Sequence, residues 1–181
     1  MRMQKDSGFT LIELLIVVAI IGIIAAIAVP GMLRARMSGN EASAIGSMRT
    51  ISSAEATFAS SCGGGGFAVT MEDLAKPPQG GGPAFIPGDL AAASTTGDGM
   101  PKSGYVFTVS QLPDGNGRVV MPGANTCNLA DSDTETEYFA TGDPDSVGNT
   151  GTRYFAVDHS GQIRQKFDGA LADMAEGTPL Q

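Results

Sequence analysis

Hydrophobic positions divide the chain into three regimes. From Phe9 to Val29 they follow one another almost without a break, and Glu13 is the single charged residue among them. As a helix rising 1.5 Å per residue, this 21-residue run would be about 31 Å long, the thickness of a bilayer's hydrocarbon core. Beyond Pro30 the pattern turns amphipathic. Met37, Ala44, Met48, Ile51 and Phe58 recur at separations of seven, four, three and seven, which places them on one face of a helix reaching to Ser60. Arg34, Arg36, Glu41, Arg49 and Glu55 are expected largely around the rest of it. The pattern predicts one N-terminal helix of about 50 residues, apolar all round in its first half and laid against a core in its second.

Four successive glycines after Cys62 should stop that helix. From Gly63 to Gly104 there are 11 Gly and 5 Pro in 42 residues, which predicts a long irregular connection. A brief helix is expected at Met71 to Ala75, with Thr70 as N-cap and Glu72 and Asp73 at its positive end. Another should follow Pro87, through Asp89 to Ala93. Neither GxGxxG nor GxxxxGK[ST] occurs in this glycine-rich stretch, so it carries no phosphate-binding signature.

The distal third alternates in the manner of strands. Tyr105 to Val109 is β-branched and aromatic, and the turn-forming run Pro113 to Gly117 predicts a hairpin with Arg118 to Met121 as the return strand. Glu137 to Ala140 and Tyr154 to Val157 are further strands, and Asp158 to Gly161 should turn the chain into Gln162 to Gln165. Lys166 to Gln181 reads as a short helix or a loose tail without a role. The fold class is α+β: a long N-terminal helix packed on a small antiparallel β-sheet.

Charge places this layout in the cell. Arg2 and Lys5 precede the apolar run and hold the N-terminus in the cytoplasm, so the C-terminal body should face outward, although Arg34 and Arg36 weaken the asymmetry. A removable secretory signal has an apolar region of about 7 to 15 residues, shorter than this run. The distal part from Asp114 onward holds eleven acids against four bases and so contributes −7 of the formal −8. With no basic stripe to replace counterions around phosphates, nucleic acid is not an expected partner. An acid inside a membrane-length segment is costly and by default functional, and a cation meeting Glu13 in the apolar phase would turn that cost into an ordering device.

The run Gly8-Phe9-Thr10-Leu11-Ile12-Glu13, continuing apolar to Pro30, resembles the class III signal of type IV pilins and of the pseudopilins of type II secretion. The resemblance implies removal of residues 1–8 by a prepilin peptidase that cuts after Gly8 and methylates Phe9. It implies that Glu13 meets the N-terminal amine of a neighbouring subunit's Phe9 and sets register during assembly. A pilin-like chain would divide into residues 9–29, membrane anchor and filament core; 30–61, the amphipathic half of the helix; 62–104, the Gly/Pro-rich connection; and 105–181, the sheet and tail of the head. It would sit in the inner membrane as a single-pass protein, head outward, and self-assemble through the inner-membrane machinery. The implied function is structural: a subunit of a type IV pilus-like filament on the cell surface, with a periplasmic secretion pseudopilus as the alternative and a membrane-tethered binding protein or enzyme as a third reading. Gly22 and Pro30 bracket a stretch where helix propensity is low, which in similar pilins can unwind in the filament; a simple kink at Pro30 fits the sequence equally.

Few residues of the head suggest chemistry, and no cofactor is implied. His159, the only histidine, adjoins Ser160, but both fall in the expected hairpin turn with no orienting partner in the pattern. Asp131, Asp133 and Glu135, continued by Glu137, alternate as calcium ligands could, yet they lack the glycine and terminal glutamate of an EF-hand loop and depart from the calcium loop of some pseudopilins. Cys62 and Cys127 allow one pairing, and outside the cytoplasm an even count favours a disulfide. In many pilins the bridge lies nearer the C-terminus, so this placement is a departure.

Overall fold

The computed structural model describes residues 9–94, 100–113 and 115–180. The chain forms two compact units, Met1–Arg36 and Met37–Gln181. Helix α1 (Leu11–Ser61) contributes its first half to one and its second half to the other.

In the first unit every described residue is exposed, including Leu11, Ile12, Ile23 and Ile27. A helix apolar on all sides with nothing covering it needs lipid or other protein around it. By length and composition α1 is the one helix among the described residues that is long and apolar enough to cross a membrane. Pro30 lies inside α1 without ending it.

The second unit is an α+β head. Its main sheet is antiparallel, with five strands in the order β1-β4-β5-β6-β7: β1 (Tyr105–Ser110), β4 (Phe139–Pro144), β5 (Tyr154–Asp158), β6 (Arg164–Lys166) and β7 (Thr178–Pro179). A smaller sheet pairs β2 (Val119–Met121) with β3 (Thr134–Glu135). Two short helices, α2 (Met71–Ala75) and α3 (Gly88–Ala91), interrupt the glycine-rich connection. Thr70 caps α2, its hydroxyl accepting the Asp73 N–H.

Alternation along β1 sends Tyr105, Phe107 and Val109 into the core and leaves Val106, Thr108 and Ser110 half-buried on the other face. The core face receives Ala44, Met48, Ile51 and Phe58 of α1, all fully buried, while Met37 is only half-buried. Close approach is permitted by Gly142 of β4: a Cβ there would lie 3.0 Å from the Phe107 ring and 3.1 Å from the Met48 sulfur. Phe85 packs against the same cluster, its ring edge-on to Phe58 with centroids 5.2 Å apart. A second small cluster, Phe139, Ala156 and Leu171, occupies the outer face of the sheet.

Three elements differ from the sequence pattern. Arg118 to Met121 does not return along β1; the partner of β1 is β4, with Tyr105 opposite Pro144 and Ser110 opposite Phe139. The turn residues 113–117 are locally persuasive, but Val119 and Val120 are exposed and have no apolar face to add to the core, whereas β4 offers Ala140 and Gly142. Strand β4 also starts two residues later and runs longer than expected. The tail is neither helical nor loose: Leu171 is buried, and β7 adds to the sheet beside β6.

Candidate functional site

The start of α1 is closed by its own side chains. The Glu13 carboxylate accepts the Thr10 backbone N–H at 2.9 Å and the Thr10 hydroxyl, while the Thr10 oxygen faces the Glu13 N–H at 3.4 Å. This reciprocal pair is a capping box, which satisfies donors that the first turn of a helix leaves free. It also fixes the carboxylate one turn from Phe9, itself 78% exposed. Gly8, the other half of the expected processing point, lies outside the described residues. A side chain at Gly22 would meet no atom within 4 Å, so nothing inside this chain requires glycine there.

Two carboxylates expected on the polar side of α1 are instead buried in the head. Glu41 accepts the Thr152 N–H at 2.9 Å, the Thr152 hydroxyl at 3.1 Å and the Arg153 Nε–H at 2.8 Å. Arg153 also donates from Nη1 to Gln165 of β6, and its carbonyl accepts the Tyr105 hydroxyl. Together these contacts clasp α1 to the segment before β5. Burial pushes the Glu41 carboxyl up, but the Thr152 and Arg153 partners outweigh it and hold it below the usual range. Glu55 is the opposite case. One oxygen accepts the Ala68 N–H at 2.9 Å and the other has no partner among the described residues. Burial, with a smaller push from the Asp73 charge, raises its carboxyl well above the usual range despite that hydrogen bond. The signal was present in the sequence: Glu41, Ala44, Met48, Ile51, Glu55 and Phe58 are spaced three, four, three, four and three, one continuous face.

The N-terminal segment that carries this geometry is similar to known proteins. Residues 3–29 match the family model described as the prokaryotic N-terminal methylation motif. The chain is 43% identical over 54 residues to the type IV major pilin protein PilA of Myxococcus xanthus, a stretch covering 30% of this chain and 24% of that one. Over its N-terminal segment the chain is similar to type IV pilins. A second relative is the type IV wide pilus major component PilA4 of Thermus thermophilus, 56% identical over 39 residues, 22% of this chain and 30% of that relative. The chain thus spans less than a third of the length of either relative. No solved structure matches the chain significantly.

The remaining candidates of the chain fall into separate places. Cys62 and Cys127 form a disulfide that ties the end of α1 to the loop after β2. Nearby, buried Asp73 accepts the Asp131 N–H at 2.7 Å and the Ser132 N–H at 3.2 Å, and Asn128 donates to the Asp73 carbonyl. The acids considered for calcium do not converge. Asp131 pairs with Lys76, Asp133 accepts the Gly123 N–H, and Glu135 accepts the Gln111 side-chain amide. Among the described residues no three His, Cys, Asp or Glu side chains are grouped to hold a metal. Asp158 accepts both the N–H and the hydroxyl of Ser160, so that hydroxyl serves the turn between β5 and β6 and is not directed at His159.

Proposed function

We propose that this chain is a structural subunit of a type IV pilus-like filament, assembled from the inner membrane through the first half of α1. The carrying observation is the pairing of a wholly exposed apolar helix with a carboxylate held at its first turn. Such a segment is stable in lipid before assembly and, when bundled with copies of itself, becomes the dry centre of a polymer. The methylation motif and the two pilin relatives support the same reading.

On this reading a prepilin peptidase cuts between Gly8 and Phe9 and methylates Phe9. The new amine of one subunit meets Glu13 of another inside the apolar phase, where an ion pair is far stronger than in water. The head, residues 37–181, faces outward before assembly and forms the filament surface afterwards. Gly22 and Pro30 are where α1 unwinds most easily once neighbouring segments compete for its backbone groups. The role is structural and not catalytic, and the relatives being pilus components favours a surface pilus over a secretion pseudopilus. Mass spectrometry of filaments sheared from cells tests this: the account expects an N-terminal peptide beginning at methylated Phe9. Sheared filaments lacking this chain, or carrying it with residues 1–8 attached, contradict it.

A further inference from the structure

On the head, an open groove of about 530 Å³ lies between α1 and the segment before α3. Pro83, Ala84 and Phe85 form an apolar wall, and Thr50, Ser53, Ala54 and Thr57 of α1 the more polar wall opposite. Arg49 stands at its rim, exposed, with no salt-bridge partner among the described residues. None of the described carboxylates of this acidic head reaches the guanidinium, which leaves it available beside the groove.

A matching protrusion occurs on the same head. Phe167, just past β6, is 60% exposed and is the only exposed Phe or Tyr among the described residues of 37–181. Asp168 follows it, exposed and likewise without a salt-bridge partner among the described residues. The knob therefore presents an apolar ring next to an acid, and the groove presents an apolar wall, Pro83 to Phe85, across from a base.

The two cannot meet within one molecule. Lys166 is opposite Tyr154 in the sheet, and the neighbouring Arg153 holds Glu41, so Phe167 lies toward the Glu41 end of the head. The groove residues of α1 run from Arg49 to Thr57, eight to sixteen positions further on, or about 12 to 24 Å along the helix axis. A contact between two different patches, offset along one axis, is heterologous; repeated between parallel copies it propagates without closing and yields a helical polymer. We infer that the Phe167-Asp168 knob of one copy seats in the Arg49 groove of a second copy, with the ring against Pro83 and Phe85 and the carboxylate on the guanidinium. This contact rests on the filament reading and specifies how successive heads engage.

Charge exchange in the full chain, expressed in its own cells, tests the contact. Arg49→Asp and Asp168→Arg should each lower sheared filament yield by about tenfold, equivalent to about 1.4 kcal/mol of association. The double exchange should restore most of it, because the pair is remade with its signs reversed. Both residues are exposed and unpaired, so subunit level in the membrane should stay as in the parent. A photo-crosslinking residue at position 167 gives a second readout: in filaments it should join another copy's peptide containing residues 49–57 or 83–85. Parent filaments that form while both single variants also yield them normally, single losses that the double exchange leaves uncorrected, or crosslinks to another surface or another protein, overturn the contact and leave the filament reading standing. Absence of filaments from the parent chain overturns both.

Discussion

Thr10 and Glu13 satisfy each other at the first turn of α1, the carboxylate accepting the Thr10 N–H at 2.9 Å and the Thr10 oxygen facing the Glu13 N–H at 3.4 Å. The acid that interrupts the apolar run is therefore hydrogen-bonded before any neighbour arrives. The cap lessens the cost of carrying it in lipid and holds it at the first turn of α1, where the amine of a neighbouring subunit is proposed to meet it. Thr10→Val removes the hydroxyl and leaves the backbone contact. Loss of an N-cap side chain costs about 1 kcal/mol, so amide exchange across the first turn in detergent should speed up about fivefold while exchange in the head stays unchanged. Unaltered exchange at Leu11 to Leu14 would show that the cap contributes nothing.

Glu41 clasps α1 to the strand layer, and removing it takes the acceptor from the Arg153 Nε–H and the Thr152 N–H. Glu41→Ala should lower head stability by about 2 to 3 kcal/mol, read from denaturant midpoints of the detergent-solubilised chain. Glu41→Gln should lose less, since an amide oxygen still accepts from Thr152. The folded carboxyl lies below its ordinary value of 4.5, so its contribution is complete above that pH and disappears as pH falls through the folded value. The difference between parent and Glu41→Ala should therefore shrink in acid.

Glu55 has the reverse sign. Its carboxyl is raised well above 4.5 by burial, so the folded chain keeps the proton over a range where the unfolded chain releases it. The parent loses stability through this group as pH rises above 4.5 toward the folded value. Glu55→Gln keeps an acceptor for the Ala68 N–H and carries no charge. Its thermal midpoint should exceed the parent's at pH 8 and approach it near pH 4. A variant less stable than the parent at pH 8 would mean that Glu55 is ionised in the fold and paired there.

The Cys62–Cys127 bridge closes a loop of 65 residues' separation. In the chain-entropy account a cross-link of that span stabilises by about 4 kcal/mol, so the double replacement Cys62→Ser with Cys127→Ser should shift the unfolding free energy by about that amount. Two alkylatable thiols in protein purified without reductant would contradict the bridge.

How much of this was legible beforehand depended on the range of the signal. The length of α1, its stop before Gly63, the Thr70 cap and the turn at Asp158 to Gly161 are set by residues within one or two turns of each other, and periodicity or turn chemistry reports them directly. The partner of β1 was not legible, because a local hairpin signal at 113–117 competed with a pairing to β4 whose advantage lies in Ala140 and Gly142 facing α1. Glu41 and Glu55 were misplaced for a different reason: charge suggested the surface, while their phase with Ala44, Met48, Ile51 and Phe58 put them in the core. The seat of Leu171 and the addition of β7 depend on the outer face of the sheet and had no counterpart in the pattern of the tail. At the N-terminus the acid is evident in the sequence, whereas the Thr10–Glu13 cap, three residues apart, is masked by the membrane-like run around it.

The central claim is that Glu13 orders subunits as they assemble, and filament yield from Glu13→Ala cells measures it most directly. Removing one member of a desolvated charge pair weakens association severely, so sheared filaments should fall by about tenfold or more while the processed chain still accumulates in the inner membrane. Parent-level filament yield from Glu13→Ala would contradict the account.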